Sequence, residues 1–158
     1  MKIKFSLKSA VFTVLMLAWS VVIFLFSAQN GDDSSGVSGK MLAIICEMMN
    51  YNPPPDVRSV LTLLLRKGAH MTEFGVLALL WLGVFQSGSG REGWTYRAAF
   101  GASSFFAATD EIHQLFVSDR AGRFTDWLID SSGAIVFLLA GWLIICLIGK
   151  IKSHRKGS

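Results

Sequence analysis

An uncharged apolar segment near the N-terminus limits what this chain can fold into more than any other feature. The segment covers residues 9–26 and contains no charged side chain. A helix of about 20 apolar residues crosses the roughly 30 Å hydrocarbon core of a bilayer. Three lysines precede the segment, as in a secretory signal peptide, but the residues after it lack the small-x-small pattern of a cleavage site. We therefore predict a retained transmembrane helix.

Further apolar segments follow, and hydrophobic residues make up 52% of the chain. The third and fourth spans are predicted over about residues 96–116 and 127–149. The second is interrupted, because two basic residues separate the apolar residues 57–65 from the largely apolar residues 68–85. Two alternatives are left: one long helix entering the membrane at an angle, or a surface helix before a span that begins near Gly68.

The predicted fold is all-α, a polytopic membrane bundle of about four transmembrane helices. Residues 1–150 would form the membrane domain and residues 151–158 a basic, disordered cytoplasmic tail. The segment 86–93 is predicted to form a turn.

The region between the first two spans is predicted to be a loop followed by a helix. Residues 31–39 are predicted to form a flexible polar loop. Apolar side chains then recur at helical spacing from Met41 to Met49, which indicates a short amphipathic helix on the extracytoplasmic surface. Cys46 is expected in a loop and Cys146 inside the last span, so no disulfide is predicted between them. Asp56 is expected to cap the next helix.

Basic residues orient this bundle. Cytoplasmic segments of membrane proteins carry an excess of Lys and Arg, which predicts both termini in the cytoplasm. With that orientation, nine of the fifteen basic residues lie on the inner face: Lys2, Lys4, Lys8, Arg91, Arg97, Lys150, Lys152, Arg155 and Lys156. The net charge of +4 does not indicate a nucleic-acid partner, because these residues flank apolar segments.

Polar side chains gather at one end of every predicted span. Because successive helices alternate in direction, the ends of spans one and three meet the starts of spans two and four on the outer face. The four clusters are Ser27, Gln29 and Asn30; Arg66, Lys67, His70 and Glu73; Asp110, Glu111, His113 and Gln114; and Arg120, Arg123, Asp126 and Asp130. A charge inside hydrocarbon costs roughly 2.5–3.5 kcal/mol on insertion scales, so such residues face inward and pair.

Simpler interpretations exist for single members of these clusters. Arg66 and Arg123 are interpreted as side chains that snorkel to lipid headgroups. Asp126 has equal claims as a cap of the fourth helix and as a member of the site. His70 and Glu73, three residues apart, could be a structural pair.

A metal site is the weaker chemical alternative for the same residues. His70, Glu73, Glu111 and His113, with two aspartates, would supply enough ligands, but their spacing matches no specific metal motif. Nearby cationic side chains would also repel a metal ion. We therefore predict neither a metal nor a cofactor, and favour an anionic ligand.

The clusters resemble those of the VanZ-like family of membrane proteins. The matching elements are Phe26-Ser27-x-Gln29, Arg66-Lys67-x-Ala69-His70-x-x-Glu73-Phe74, Asp110-Glu111-x-His113-Gln114-x-Phe116, Arg120, and Asp126-x-x-x-Asp130-x-x-Gly133. They occur in the family's order through about two thirds of the chain. The family's usual Pro-Gly-Arg before the fourth span is Ser118-Asp119-Arg120 here.

The resemblance implies a multi-pass protein of the bacterial cytoplasmic membrane. The founding member of the family is linked to resistance to the lipoglycopeptide teicoplanin, and no activity is settled for the family. The resemblance therefore implies a class, a cell-envelope location and a connection with antibiotic resistance.

Three hypotheses follow for function. The first is an enzyme that acts on a lipid-linked anionic envelope substrate at the outer leaflet. The second is a protein that binds an amphipathic antibiotic or a lipid without turnover, and the third is a purely structural cluster that locks helices together. The expected partners are membrane lipids and a lipid-linked substrate or lipoglycopeptide.

The first hypothesis assigns roles to the polar residues. His70 or His113 would act as general base and Glu73 or Glu111 as acid. The catalytic candidates are His70, Glu73, Asp110, Glu111 and His113, and the substrate-binding candidates are Ser27, Gln29, Lys67, Gln114, Arg120, Asp126 and Asp130.

Overall fold

The described part of the chain is all-helical. A computed structural model describes residues 6–87 and 92–156, with the backbone but not the side chains of residues 31–34, 92 and 153–156. Its helices are α1 (Leu7–Ser27), α2 (Gly31–Met48), α3 (Pro55–Gln86), α4 (Glu92–Gln114) and α5 (Phe124–Lys156). Lys2, Lys4 and Arg91, and residues 88–91 of the turn predicted at 86–93, lie outside the described residues. The predicted all-α fold is confirmed.

Local chemistry explains where the first and third helices begin. Ser6 is the N-cap of α1, and its side chain accepts a hydrogen bond from the backbone N–H of Ser9 at 3.2 Å. In α3, Pro55 occupies the first turn, where a missing N–H costs no hydrogen bond. Asp56 lies in that first turn while Pro54 is the N-cap, so the prediction that Asp56 caps the helix is wrong.

The third helix is the centre of the bundle, because it contacts all four of the other helices. It is one continuous helix of 32 residues, which decides between the two alternatives left by the sequence. From Lys67 to Gln86 it rises about 28 Å at 1.5 Å per residue, close to the hydrocarbon thickness of a bilayer. The residues before Lys67 therefore project about 18 Å beyond that segment.

Small side chains let α3 pack closely against its neighbours. Ala78 and Ala134 are completely buried between α3 and α5. At Gly133 of α5, an added Cβ would collide with the backbone of Met71 in α3. Close approach at small residues is the usual packing of membrane helices, which gain little from hydrophobic attraction to one another. Gly133 therefore sets how α5 lies against α3.

The outside of the bundle is apolar, as expected for a surface in contact with lipid. Large hydrophobic side chains such as Val14, Val21, Leu139 and Leu147 are more than half exposed. Three helices are long and apolar enough to cross a membrane: α1, α3 and residues 124–152 of α5. A multi-pass membrane protein is thus supported. The fourth helix does not meet the same criterion within its described residues, so the count of four spans stays a prediction.

The region between α1 and α3 differs from the sequence-based prediction. Residues 31–39, predicted to be a flexible loop, form the first half of α2, and Cys46 lies in this helix rather than in a loop. Acidic residues near a helix start favour the helix electrostatically, and the sequence has Asp32 and Asp33 there. Leu42 and Cys46 are buried on the bundle side of α2, so tertiary packing also stabilises it.

The basic C-terminal segment is also more ordered than predicted. Residues 151–156, assigned from the sequence to a disordered tail, continue α5. Lys and Arg are good helix formers, and they interact favourably with the negative end of the helix dipole. The helix thus carries the predicted span onward into the basic segment. Gly157 and Ser158 lie outside the described residues.

Candidate functional site

The loop between α4 and α5 is fastened to the end of α1 by Arg120. Its Nε donates to the backbone carbonyl of Gln29 at 3.2 Å, and its Nη2 to that of Phe26 at 3.5 Å. The last carbonyls of a helix have no intrahelical partner, so a guanidinium is well suited to satisfy them. The end of α1 and the α4–α5 loop therefore meet at one end of the bundle, as the alternation of the spans predicts.

Lys67 of α3 and Asp126 of α5 form an ion pair across the bundle. Lys67 Nζ lies 2.6 Å from Asp126 Oδ1, with about a third of the lysine side chain and a quarter of the aspartate exposed. Asp126 thus bonds to a neighbouring helix in addition to its position in the first turn of α5. Of the two interpretations left open by the sequence, the structure places Asp126 in the cluster.

His70 lies between two carboxyl groups from different helices. Its Nδ1 is 3.9 Å from Glu73 Oε2 and 4.0 Å from Asp130 Oδ1, distances that leave room for bridging water. Asp130 is only 1% exposed, and its Oδ2 has no hydrogen-bond partner among the described residues. A buried carboxyl oxygen without a partner is costly, so this position calls for water or a ligand.

A second cluster of polar side chains lies at the end of α4. Gln114 Nε2 donates to Asp110 Oδ2 at 2.9 Å, and both side chains are buried. Ser27 of α1 lies beside the Asp110 carboxyl, but its hydroxyl meets no ordinary hydrogen-bond geometry with any described residue. Asp110 and Ser27 therefore belong to the interface between α1 and α4 rather than to the group around His70.

Glu111 holds the start of α5. Its Oε2 accepts a hydrogen bond of 2.7 Å from the backbone N–H of Arg123, directly before the helix begins. A Cβ on Gly122 would collide with the Glu111 backbone carbonyl, so the loop passes very close to α4 at this point. This geometry gives Glu111 a positioning role for the loop that carries Arg120.

The loop also explains the departure from the family's usual turn. Asp119 occupies the position where the family usually has Gly, and its φ of 58° is in the left-handed region. Glycine reaches this region without steric cost, and Asp is one of the few other residues that tolerates it. Asp119 therefore adopts a conformation that a glycine at this position would reach without steric cost.

His113 does not join the cluster around His70. Its ring contacts Phe24 of α1, with centroids 4.7 Å apart, and its buried Nδ1 has no hydrogen-bond partner among the described residues. It lines neither of the polar cavities described next. Of the two histidines proposed as bases from the sequence, His70 has the better placement.

Two polar cavities lie at this end of the bundle. The inner one measures about 20 Å³, room for about one water molecule. Its walls are formed by Arg66, Lys67, His70, Glu111, Gln114, Arg120, Asp126, Ile129 and Asp130. The outer one, of about 170 Å³, is lined by Gln29, Glu73 and Val37 and shares Arg66, His70 and Arg120 with the inner one. A headgroup could enter only the outer cavity.

Arg66 is the member of the site that the sequence did not identify. It was interpreted as a snorkelling side chain, whereas it lines both polar cavities and donates to Ser35 Oγ of α2 at 3.3 Å. A useful signal was available, because Arg66 lies one helical turn from His70.

The two guanidiniums of the site are electrostatically close. Burial lowers the pKa of Arg120 from its ordinary value and the positive charge of Arg66 lowers it further, while the carboxyl groups of Asp110, Glu111 and Glu73 act in the opposite direction. Arg120 nevertheless stays protonated, because an arginine does not lose its proton in a protein. Among the described side chains, neither guanidinium lies within 4 Å of a carboxylate, and the bonds described for them go to neutral oxygens.

The described His, Cys, Asp and Glu side chains form no group of three or more that could hold a metal ion. Among the described side chains, the arrangement instead combines two arginines that form no ion pair within 4 Å and a buried histidine near two carboxyl groups.

Comparison with known proteins gives one finding. No curated protein and no solved structure is detectably similar to the chain. The model of the VanZ/LLP1 family, in contrast, matches residues 12–148, which include every polar cluster of the site. This chain belongs to the VanZ/LLP1 family.

Proposed function

We propose that the chain binds the anionic headgroup of an amphiphile at the outer face of the bacterial cytoplasmic membrane. The observation that carries the proposal is the pair of guanidiniums, Arg66 and Arg120, on the wall of one cavity, where their hydrogen bonds to described residues go to neutral oxygens. Two like charges at such a site repel each other, and an anion between them relieves that repulsion. Arginine is also the side chain best shaped for bidentate bonds to phosphate or carboxylate.

Lys67 has a different role in this proposal from the one predicted from the sequence. Because its ammonium is already paired with Asp126, it contributes little net charge to the cavity. Arg66 takes its place as the partner of Arg120. The positive charge available to a ligand then lies in the outer cavity, where there is space for a headgroup.

The group around His70 favours turnover over binding alone. A water molecule in the inner cavity would lie against both His70 and Asp130. His70 would accept a proton from that water as it attacks the headgroup, and Glu73 would protonate the leaving oxygen. Asp130, whose Oδ1 lies 4.0 Å from His70 Nδ1, would hold that water beside the imidazole.

The proposed substrate is a lipid-linked component of the cell envelope, and a link to teicoplanin-type resistance belongs to the same proposal. The family membership supports both only at the level of the class. A lipoglycopeptide is itself an amphiphile, so sequestration of the antibiotic is the second candidate. It requires the same binding site but no acid–base chemistry.

The binding part can be tested with purified protein in nanodiscs. The probe is a polyprenyl phosphate, with the matching neutral polyprenol as the ligand control. Arg66→Gln should weaken phosphate binding by about ten- to a hundredfold, the value of one charge-assisted hydrogen bond. The exposed Arg123, on the same loop as Arg120, provides the matched control, and Arg123→Gln should bind as the unaltered protein does. Equal binding of phosphate and alcohol would contradict the proposal.

The proposed chemistry is tested by incubating candidate envelope lipids with the protein and measuring whether the mass of each lipid changes. His70→Gln should bind normally and leave every substrate unchanged, whereas Glu111→Gln should retain turnover, because an amide oxygen still accepts the bond from Arg123. Loss of turnover in Glu111→Gln with His70→Gln active would assign the proton transfer to Glu111. Binding of teicoplanin without a mass change in any lipid would favour sequestration. Equal loss of folded protein in all these variants would favour the structural hypothesis.

A further inference from the structure

A wide apolar groove runs beside the polar site, between α2 and α3. Its volume is about 860 Å³, within the range of sites that enclose small-molecule ligands. From α2 it receives Met41, Leu42, Ile45 and Cys46, and Met49 follows directly after the helix. From α3 it receives Leu61, Leu64, Leu65 and Gly68, which recur at helical spacing. Trp19 of α1 also lines it.

The groove and the outer polar cavity are neighbours, because Ala69 and Glu73 line both of them. Arg66 and Arg120 line the cavity, whereas the groove is lined mainly by apolar side chains, several of them on the projecting part of α3. Cationic side chains at one site and apolar side chains at the adjacent one match a single amphiphilic molecule.

We infer that the groove between α2 and α3 holds the hydrocarbon chain of the same amphiphile whose anionic headgroup lies between Arg66 and Arg120. This inference rests on the proposed function and extends it to the class of substrate: a long-chain phosphate rather than a free anion. The methionine side chains that line the groove, Met41 and Met49, suit a flexible chain, because they adapt to irregular shapes.

Gly68 gives a direct way to test the groove. It lies on the groove wall, and a Cβ added there meets no other atom within 4 Å. A Phe side chain therefore fills the groove without a collision at its Cβ, and a helical glycine loses nothing in helix propensity by the change. Gly101 of α4 is the matched control, because it is exposed, equally open at its Cβ and outside the groove.

The experiment compares a long-chain polyprenyl phosphate with a short-chain, water-soluble prenyl phosphate by native mass spectrometry of the full-length protein. Gly68→Phe should bind the long-chain ligand about tenfold more weakly, which corresponds to about 1.4 kcal/mol, and the short-chain ligand unchanged. Gly101→Phe should bind both as the unaltered protein does. Arg66→Gln should weaken both ligands.

The outcomes separate this inference from the function on which it rests. Equal binding of the long-chain ligand by Gly68→Phe and Gly101→Phe overturns the groove inference, while the effect of Arg66→Gln still supports headgroup binding. If neither phosphate binds the unaltered protein, the proposed function fails as well. If the unaltered protein is a dimer and Gly68→Phe dissociates it, a second copy of the chain occupies the groove. If the protein tightly retains a zwitterionic membrane lipid, an ordinary bilayer lipid occupies the groove. Either result overturns the inference.

Discussion

Replacing Lys67 with Met should weaken anion binding, and replacing Asp126 with Asn in the same protein should restore it. The two side chains form an ion pair of 2.6 Å, so each neutralises the other. The single change leaves the Asp126 carboxylate on the cavity wall without its cation, and this negative charge repels an anionic headgroup. The double change removes both charges together.

The size of the effect can be worked out from Coulomb's law. The two charges are the unpaired Asp126 carboxylate and the anionic headgroup, taken as about 8 Å apart. At an effective dielectric constant of about 20 they repel each other by about 2 kcal/mol, which corresponds to about a thirtyfold loss of affinity. Lys67→Met should also lower the free energy of unfolding by about 1.5–3 kcal/mol, the value of a charge-assisted hydrogen bond. The double variant should recover most of this loss, because it leaves no unpaired charge.

Binding of a polyprenyl phosphate and thermal unfolding in detergent, measured on both single variants and the double variant, form a complete double-mutant cycle. Stability changes that add to within about 0.5 kcal/mol would show that the pair is not coupled. A double variant that binds as weakly as Lys67→Met would show that Lys67 itself contacts the ligand. That result would favour the role predicted from the sequence over the one inferred from the ion pair.

Three further outcomes are expected. Gly133→Leu should lower the free energy of unfolding by about 1–3 kcal/mol in thermal unfolding, because its side chain meets the α3 backbone, whereas Gly149→Leu, with open space at its Cβ, should not destabilise. Asp119→Gly should preserve or raise the melting temperature and Asp119→Ala should lower it, because φ is 58°. With both native cysteines replaced by Ala, a cysteine at Gly36 should react with an impermeant reagent in whole cells and one at Gly93 should not; the reverse pattern would invert the predicted topology.

The sequence was sufficient to predict the spanning segments α1, α3 and α5. Long uncharged runs are a direct consequence of the lipid environment, which requires every backbone polar group to bond within the helix. The first half of α2 escaped prediction because residues 31–39 carry no apolar repeat. That helix is stabilised by its packing on α3 through residues such as Leu42, and packing between distant segments is not encoded in a local pattern.

The location of the site at one end of the bundle could also be predicted, because it follows from the alternation of the helices. Which side chains pair within the site could not be predicted from the sequence. Lys67 and Asp126 are 59 residues apart, and their contact depends on how far α5 slides along α3. Gly133 sets that position, and the sequence alone does not reveal which backbone faces a glycine. His113, although three residues from Asp110, turns toward Phe24 because α1 packs there.

Exposure falls stepwise along the site, and this gradient decides which groups a ligand can reach. Lys67 is about a third exposed, His70 about a fifth, and Asp130 almost completely buried. Asp130 is one helical turn, about 6 Å, deeper in α5 than Asp126, beside a cavity with room for about one water molecule. A charged headgroup can therefore contact the arginines, while only water reaches Asp130. In the proposed mechanism, the unbonded oxygen of Asp130 would accept a hydrogen bond from that water, so proton transfer would take place deeper in the bundle than headgroup binding.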